Sequence, residues 1–235
     1  MKIGGLLKTS MIDFPGFVSC IIFTSGCNFF CPYCHNPDLA SGHPPMDDGS
    51  FIDEKDIINF LKKRKKLLDG VVISGGEPTL HDDLADFCFK IKEMGYKIKL
   101  DTNGSNPEIL KSLFEKELVD FTAMDIKTSP ENYHVLAGKN FDFLRIPESI
   151  GVICKDAPSY EFRTTCVKPF IDKIIINDIG KMIQSASSYI LQQCSKNVKM
   201  LNPDFFKSEN LFFSDEEILE LKKEVENYVV NCSVR

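Results

Sequence analysis

The 235-residue sequence contains no apolar run of the roughly 18 or more positions that a membrane-spanning helix needs. Its start, Met1-Lys2-Ile3-Gly4-Gly5, lacks the apolar stretch and cleavage site of a signal peptide. The expected compartment is the cytoplasm, and no membrane partner is expected. A basic excess is also missing: 28 Lys and Arg stand against 34 Asp and Glu, a net charge of −6, the wrong sign for a general nucleic-acid surface. The exception is the run from Lys62 to Lys66 with Arg64 at its centre, which circles a helix and reads as a solvated face, or more sharply as a dock for an acidic electron carrier. The four histidines form neither His-x3-His nor His-Glu-x2-His, which removes the usual zinc hydrolase. No internal repeat or low-complexity segment is present. Nine cysteines is an odd number, and thiols in a reducing compartment stay free, so no disulfide framework is expected. Cys20, Cys154, Cys166, Cys194 and Cys232 make no further C-x2-C pair, which disfavours a second ferredoxin-type cluster; most read as small buried hydrophobes.

A chain of this length buries roughly 70 to 75% of its unfolded surface and needs no covalent staples. With 43% hydrophobic and 26% charged residues it has ordinary globular composition. Residues 10–16, Ser-Met-Ile-Asp-Phe-Pro-Gly, form a turn-rich approach to a first strand at 21–24. Residues 38–52 read as loop, and 54–68 as a helix capped by Asp53 with Ile57, Ile58 and Leu61 inward. The β-branched run 71–74 is a second strand. Leu84, Phe87, Cys88 and Ile91 place a helix at about 82–94, ended by Gly95, with Cys88 in the core. A third strand at 97–101, a helix starting at Pro107 and a fourth strand at 121–126 follow. A helix near 142–155 would be interrupted by Pro147. Strands at 160–167 and 188–193 flank a helix at 172–184. Ser214 to Glu217 is a capping box opening a C-terminal helix to about Tyr228, with Ile218, Leu221 and Val225 on one face. Six strands alternating with helices imply parallel pairing with right-handed crossovers. The expected fold class is α/β, a partial (β/α)6 barrel with a C-terminal helix, in one domain over 1–235 whose C-terminal extension covers about 195–235.

The chemistry is concentrated in a loop at 25–37. Cys27, Cys31 and Cys34, at x3 and x2 spacing, can grip three corners of an iron-sulfur cube, and a fully ligated cluster takes four cysteines. One iron is then open, as in catalytic metal sites. The competing readings are a zinc loop or thiols that are merely buried. With Tyr33 in the aromatic slot, C-x3-C-x-aromatic-C resembles the signature of the radical S-adenosylmethionine (SAM) enzymes. The resemblance implies a [4Fe-4S] cluster that holds SAM at its open iron and splits it reductively to methionine and a 5′-deoxyadenosyl radical. A test independent of the cysteines comes from the strand ends, where α/β barrels gather reactive residues. Gly75-Gly76-Glu77-Pro78, Asp101-Thr102-Asn103-Gly104 and Asp125-Ile126-Lys127 all land there. The first resembles the family's SAM-binding motif, in which Gly75 and Gly76 let backbone approach the methionine part and Glu77 accepts a hydrogen bond from its ammonium group.

In the activases of glycyl-radical enzymes, the residues matching Asp101, Thr102 and Asp125 shape the SAM amino-acid end and sometimes a monovalent cation site, and Lys127 would meet ribose or carboxylate. Arg163, with Thr164 and Thr165, and Gln192 are further candidates. The plain alternatives are that Asp101 and Asp125 are caps and that Arg163 is a surface or ion-pair residue. His35 is either a hydrogen-bond donor to the cluster or a tolerated loop residue.

Asp13-Phe14-Pro15-Gly16 is similar to the Asp-x-Pro-Gly stretch of those activases, but Phe17-Val18-Ser19 supplies no basic residue, which points away from pyruvate formate-lyase activases. Residues 4–10 with 31–37 are more similar to activating proteins of anaerobic ribonucleoside-triphosphate reductase. The implied partners are that glycyl-radical enzyme, touched by Asp13, and a reduced ferredoxin or flavodoxin. A small-molecule radical SAM enzyme such as a carboxy-deazaguanine synthase, and a non-enzymatic zinc-binding adaptor, are the alternatives.

Overall fold

The computed structural model describes residues 1–43, 49–195, 198–207 and 211–235, except the side chains of 206 and 207. Parts of the expected loop at 38–52 and of the extension at 195–235 thus lie outside the described residues. One eight-stranded sheet runs in the order β1 to β8. Its strands are β1 (Ile3–Ser10), β2 (Ser19–Thr24), β3 (Gly70–Gly75), β4 (Lys97–Thr102), β5 (Phe121–Asp125), β6 (Tyr160–Cys166), β7 (Tyr189–Gln193) and β8 (Cys232–Val234). The helices are α1 (Pro37–Ala40), α2 (Glu54–Arg64), α3 (Leu84–Glu93), α4 (Pro107–Glu115), α5 (Tyr133–Ala137), α6 (Arg145–Asp156), α7 (Lys173–Met182) and α8 (Asp215–Val225).

Strands β2 to β7 pair in parallel, each joined to the next through a helix, which is the expected partial (β/α)6 barrel closed off by α8. Two edge strands extend it. β1 pairs antiparallel with β2 through an irregular register, and β8 adds three residues in parallel to β7. Neither has a readable period: β1 carries two glycines and a lysine, and β8 is too short. At Gly5 a Cβ would crowd the Phe23 ring at 3.3 Å, so the glycine serves packing at the sheet edge.

Local chemistry explains the helix ends. Asp53 accepts from the Lys55 N–H, and Ser214 and Glu217 form the reciprocal capping box. Helix α2 stops at Arg64, short of 68, where the Leu67 N–H turns back to the Arg64 carbonyl at 2.8 Å. Pro147 does not interrupt α6, because it lies in the first turn, where backbone N–H groups have no intrahelical acceptor. Residues 38–40 of the expected loop belong to α1, opened by Pro37.

Strand alternation divides the side chains. Ile22, Val71, Ile73, Ile98 and Leu100 pack outward into the core that also holds Ile57, Leu61, Phe87, Cys88 and Ile91 of the helices. Ile21 and Val72 point the other way and bury Phe14 between them. Phe14 enters from the N-terminal end of the strands: β1 and β2 meet there at Ser10 and Ser19, and a Cβ on Gly70 would lie 2.7 Å from the Phe14 ring. The approach segment is therefore a floor to the barrel. Asp13, expected to touch the partner, thus lies at the end of the strands that the six-residue β2, roughly 20 Å of chain, separates from the cysteines. Among the described residues no helix is long and apolar enough to cross a membrane.

Candidate active site

The chain leaves β2 at Thr24 and is caught by backbone bonds on both sides. Gly26 N–H donates to the Leu39 carbonyl at 2.7 Å and Cys27 N–H to that of Ala40 at 3.1 Å. Phe29 turns into the core against the rings of Tyr133 and Phe141, at 5.9 and 5.1 Å, while Phe30 is exposed and its N–H is held by the Leu136 carbonyl. Beyond the last cysteine, Leu201 and Asn202 donate to the carbonyls of Cys34 and Pro32. So fixed, Cys27, Cys31 and Cys34 line one cavity of about 190 Å³ with Tyr33, His35 and Asn36. Burial pushes the free thiols up, Cys27 to about 12 and Cys31 to about 11. Two donors reach the Cys27 sulfur: the Phe29 N–H at 3.4 Å and the Asn103 amide at 3.9 Å. Such N–H groups tune an iron-sulfur ligand.

Gly75 and Gly76 follow β3 and line the same cavity. Their need for glycine is internal: a Cβ at Gly76 would collide with the Gly26 carbonyl oxygen, and one at Gly75, with φ of 115°, with that of Thr24. The stretch is stapled under the cysteine loop by Gly76 N–H to Thr24 and Glu77 N–H to Gly26, at 2.9 and 2.8 Å. Glu77 itself does not line the cavity. It is fully buried, and its carboxylate accepts from Thr79 N–H (3.1 Å), Thr79 Oγ1 (2.6 Å), Thr102 Oγ1 (2.8 Å) and Asn103 N–H (2.6 Å). These contacts correct the expected direct bond between Glu77 and an ammonium group. Four protein donors consume the carboxylate, which instead ties the β3 loop to the β4 loop.

Asp101, Asp125, Lys127 and Arg163 come from three strand ends to one wall of the cavity. Arg163 Nε donates to Asp125 at 2.8 Å and its Nη1 lies 3.5 Å from Asp101; Lys127 Nζ donates to Asp125 at 2.9 Å. Burial works against the Asp125 charge, yet Arg163 and Lys127 hold its carboxyl well below the usual range. Burial likewise opposes the Lys127 charge, which Asp125 and the Cys31 thiol raise above the ordinary lysine range. Asp101 and Asp125 are therefore ion-paired strand-end residues and not caps, and Arg163 is the ion-pair residue of the plain alternative, placed in the interior and not on the surface.

Thr102 lines the cavity with its hydroxyl committed to Glu77 and to the Gly104 N–H. Thr165 faces in, whereas Thr164 points outward and is bonded to the Ile126 carbonyl and the Tyr189 hydroxyl. Gln192 of β7 does not reach the cavity, because the lining stops at β6 on that side. The His35 ring stands 3.7 Å from the Cys194 sulfur. Ser74, Asn36 and Asn103 also line the cavity, and the sequence pattern marks none of them as a ligand. Each adjoins a candidate residue within or beside a motif, so adjacency is the signal by which they could be found.

Three thiols on one rigid loop around one cavity fit a [4Fe-4S] cluster in donor chemistry. Among the described residues no group of three or more His, Cys, Asp or Glu side chains is placed around a single metal ion. The same cavity offers carboxylates, cations and amides for a zwitterionic ligand such as SAM, and Tyr33 lines it beside the Cys31 thiol. A monovalent cation does not fit: both candidate carboxylates, Asp101 and Asp125, are taken by lysine and arginine heads.

A family model described as the radical SAM superfamily matches residues 21–150. A Methanocaldococcus jannaschii protein, described by inference as a glycyl-radical enzyme activating enzyme, is 34% identical over 99% of this chain and 95% of its own length. The pyruvate formate-lyase-activating enzyme of Clostridium pasteurianum is 32% identical over 64% of this chain and 65% of its own. Among solved structures, Streptococcus suis SuiB bound to S-adenosylmethionine superposes with a TM-score of 0.66 at 15% identity over 92% of this chain, which spans about half of SuiB (49%). The cysteine loop and charged strand ends are thus framed by a match over residues 21–150 and a relative alike from end to end, and the chain belongs to the radical SAM superfamily, among the activating enzymes of glycyl-radical enzymes.

Proposed function

We propose that this chain, holding a [4Fe-4S] cluster on Cys27, Cys31 and Cys34, cleaves SAM reductively and takes a hydrogen atom from the Cα of one glycine in anaerobic ribonucleoside-triphosphate reductase. The carrying observation is that the three thiols and the Asp101, Asp125, Lys127 and Arg163 wall share one cavity. When bound, the cluster supplies one electron to the sulfonium, which leaves methionine and a 5′-deoxyadenosyl radical that becomes 5′-deoxyadenosine on taking the glycine hydrogen. The chain's own work is positioning. Arg163 and Lys127 are fixed by Asp125 so that their remaining N–H donors can meet a carboxylate. Gly75 and Gly76 set the backbone beside the thiols, and Tyr33 is held in the cavity lining by the Phe170 ring at 5.5 Å. Partial burial of the wall strengthens these charges.

The electron is assigned to a reduced ferredoxin or flavodoxin and the compartment to the cytoplasm. The reductase, among glycyl-radical enzymes, is supported by the resemblance of residues 4–10 and 31–37 to its activating proteins. A single domain over 1–235 is part of the same reading. The test is anaerobic incubation of the reconstituted protein with SAM, a reductant and the candidate reductase, read by electron paramagnetic resonance. A glycyl-radical doublet on the reductase is expected. If 5′-deoxyadenosine formed without a doublet on it, the partner would be wrong; if neither formed, the chemistry would be.

A further inference from the structure

One cation beside the SAM wall has no part in the positioning described for Arg163 and Lys127. Lys99 sits on β4 between Ile98 and Leu100, which face the helices, so its side chain runs into the barrel interior and is 2% exposed. A fully buried lysine is rare unless paired, because its ammonium loses its hydration. Here Nζ donates to Asp101 Oδ1, with the Phe121 ring 5.9 Å away. Along the inner wall three carboxylates, Asp101, Asp125 and Glu161, meet three buried cations, Lys99, Lys127 and Arg163. Arg235 adds a fourth positive head 3.5 Å from Glu161. A further cation would find no uncompensated carboxylate, would face ammonium and guanidinium groups, and would lack the several oxygen ligands that hard ions take.

We propose that the Lys99 ammonium is a built-in counter-ion of Asp101, occupying the position where a monovalent metal cation would otherwise neutralise that carboxylate, so that SAM binding by this chain is independent of potassium or sodium. Lys99 is a positioning residue: it holds Asp101, and through Arg163 the Asp125 pair, in place without touching the ligand. The proposal rests on the reading of this cavity as a SAM site. It also makes a structural claim that stands without SAM, since the charge balance belongs to the protein alone.

The reconstituted protein is tested by thermal unfolding and by calorimetric SAM titration, each in potassium chloride and in choline chloride at equal ionic strength. For the wild type the dissociation constant is expected to agree within about twofold and Tm within about 1 °C between the two salts, as linkage requires when no ion binds the folded state. Lys99→Ser leaves Asp101 with only the more distant Arg163 head, at 3.5 Å, and opens space. In choline its SAM affinity is expected to fall about tenfold or more, the scale of losing a charge-assisted bond, with potassium restoring most of it. Lys99→Met fills the space without a charge, so the same loss should resist potassium. A wild type stabilised or tightened by potassium over choline overturns the proposal, as does Lys99→Ser with unchanged affinity in choline. If Lys99→Ser does not fold, the wild-type comparison and Lys99→Met decide. No SAM binding by the wild type in either salt would refute the cavity assignment, while the Tm comparison would still judge the counter-ion.

Discussion

At the N-terminal end of the strands the barrel interior is filled by Phe14, Ile21 and Val72, with Phe17, Phe23 and Phe121 packed around them. Two residues further along the same strands, the inward positions that follow Val72, Lys99 and Ala123 carry Ser74, Asp101 and Asp125, and they line the cavity with the thiols. The same alternation therefore builds a dry floor and a charged rim on one set of strands. In α/β barrels the first end serves stability and the second serves chemistry; on β3 and β5 the switch takes a single inward step, while β4 already carries the buried Lys99 one step below Asp101. Variants at the rim should lose cofactor or ligand, and variants at the floor should lose stability alone.

The largest effect tests the rim. Cys31→Ala removes one of the three proposed cluster ligands, and neither Cys194 nor Cys166 lines the cavity to replace it. Anaerobic reconstitution should give about four irons per chain in the wild type and essentially none in the variant, measured as iron with acid-labile sulfide. Retention of a SAM-responsive cluster would show that the loop is not the ligand set.

Phe14→Ala tests the floor. Truncating a buried phenylalanine costs about 3 to 5 kcal/mol through lost transfer energy and the cavity left behind. Urea unfolding should register that loss, while iron content and SAM affinity in the folded fraction stay at wild-type values. A matched fall in SAM affinity would mean that floor and rim are mechanically coupled and that the comparison is too simple.

How much of this division is legible in the sequence depends on the kind of signal. Covalent spacing is local, so the cysteine loop is readable outright, and Asp125 with Lys127 follows from a clear strand whose end must lie at the rim. Directions are harder. Arg163 facing in forces Thr165 in and Thr164 out by strand parity, a constraint that the sequence holds only once the direction of Arg163 is known. Glu77 is misread from its motif because its direction is set by the backbone turn at Gly75 and Gly76 packing on Gly26, a contact between distant segments. β1 and β8 have no period, and their pairing exists only in the assembled sheet. Asp13 is the opposite case: it is near Cys27 in sequence and far from it in space, with a whole strand between them.

Asp125→Asn sharpens the rim in a different way. It leaves Arg163 and Lys127 buried without their shared carboxylate, and breaking a buried pair on one side costs about 3 kcal/mol. The pH dependence has a definite sign. The folded carboxyl of Asp125 is held far below its unfolded value of about 4, so its contribution is complete above that pH and is lost as pH falls toward the folded value. The stability gap between wild type and variant, followed by urea unfolding, should be widest near neutrality and should narrow in acid. A gap that widened in acid would contradict the pairing.

The smallest effect is assigned to Asp13→Ala, and it bears hardest on the distance between the two ends. Asp13 accepts from the Ser10 hydroxyl, which in turn accepts from the N–H groups of Ile12 and Asp13, at 3.2 and 3.3 Å, so the side chain closes a turn at the floor. Removing one such partly exposed bond costs about 0.5 to 1.5 kcal/mol. SAM affinity, 5′-deoxyadenosine production and the glycyl-radical signal should then all remain near wild type under excess reductant. Had Asp13 belonged to a partner-docking surface beside the cluster, deoxyadenosine would persist while the glycyl signal dropped. That split outcome would require the partner to reach the barrel's far end, and it would reassign the floor from support to recognition.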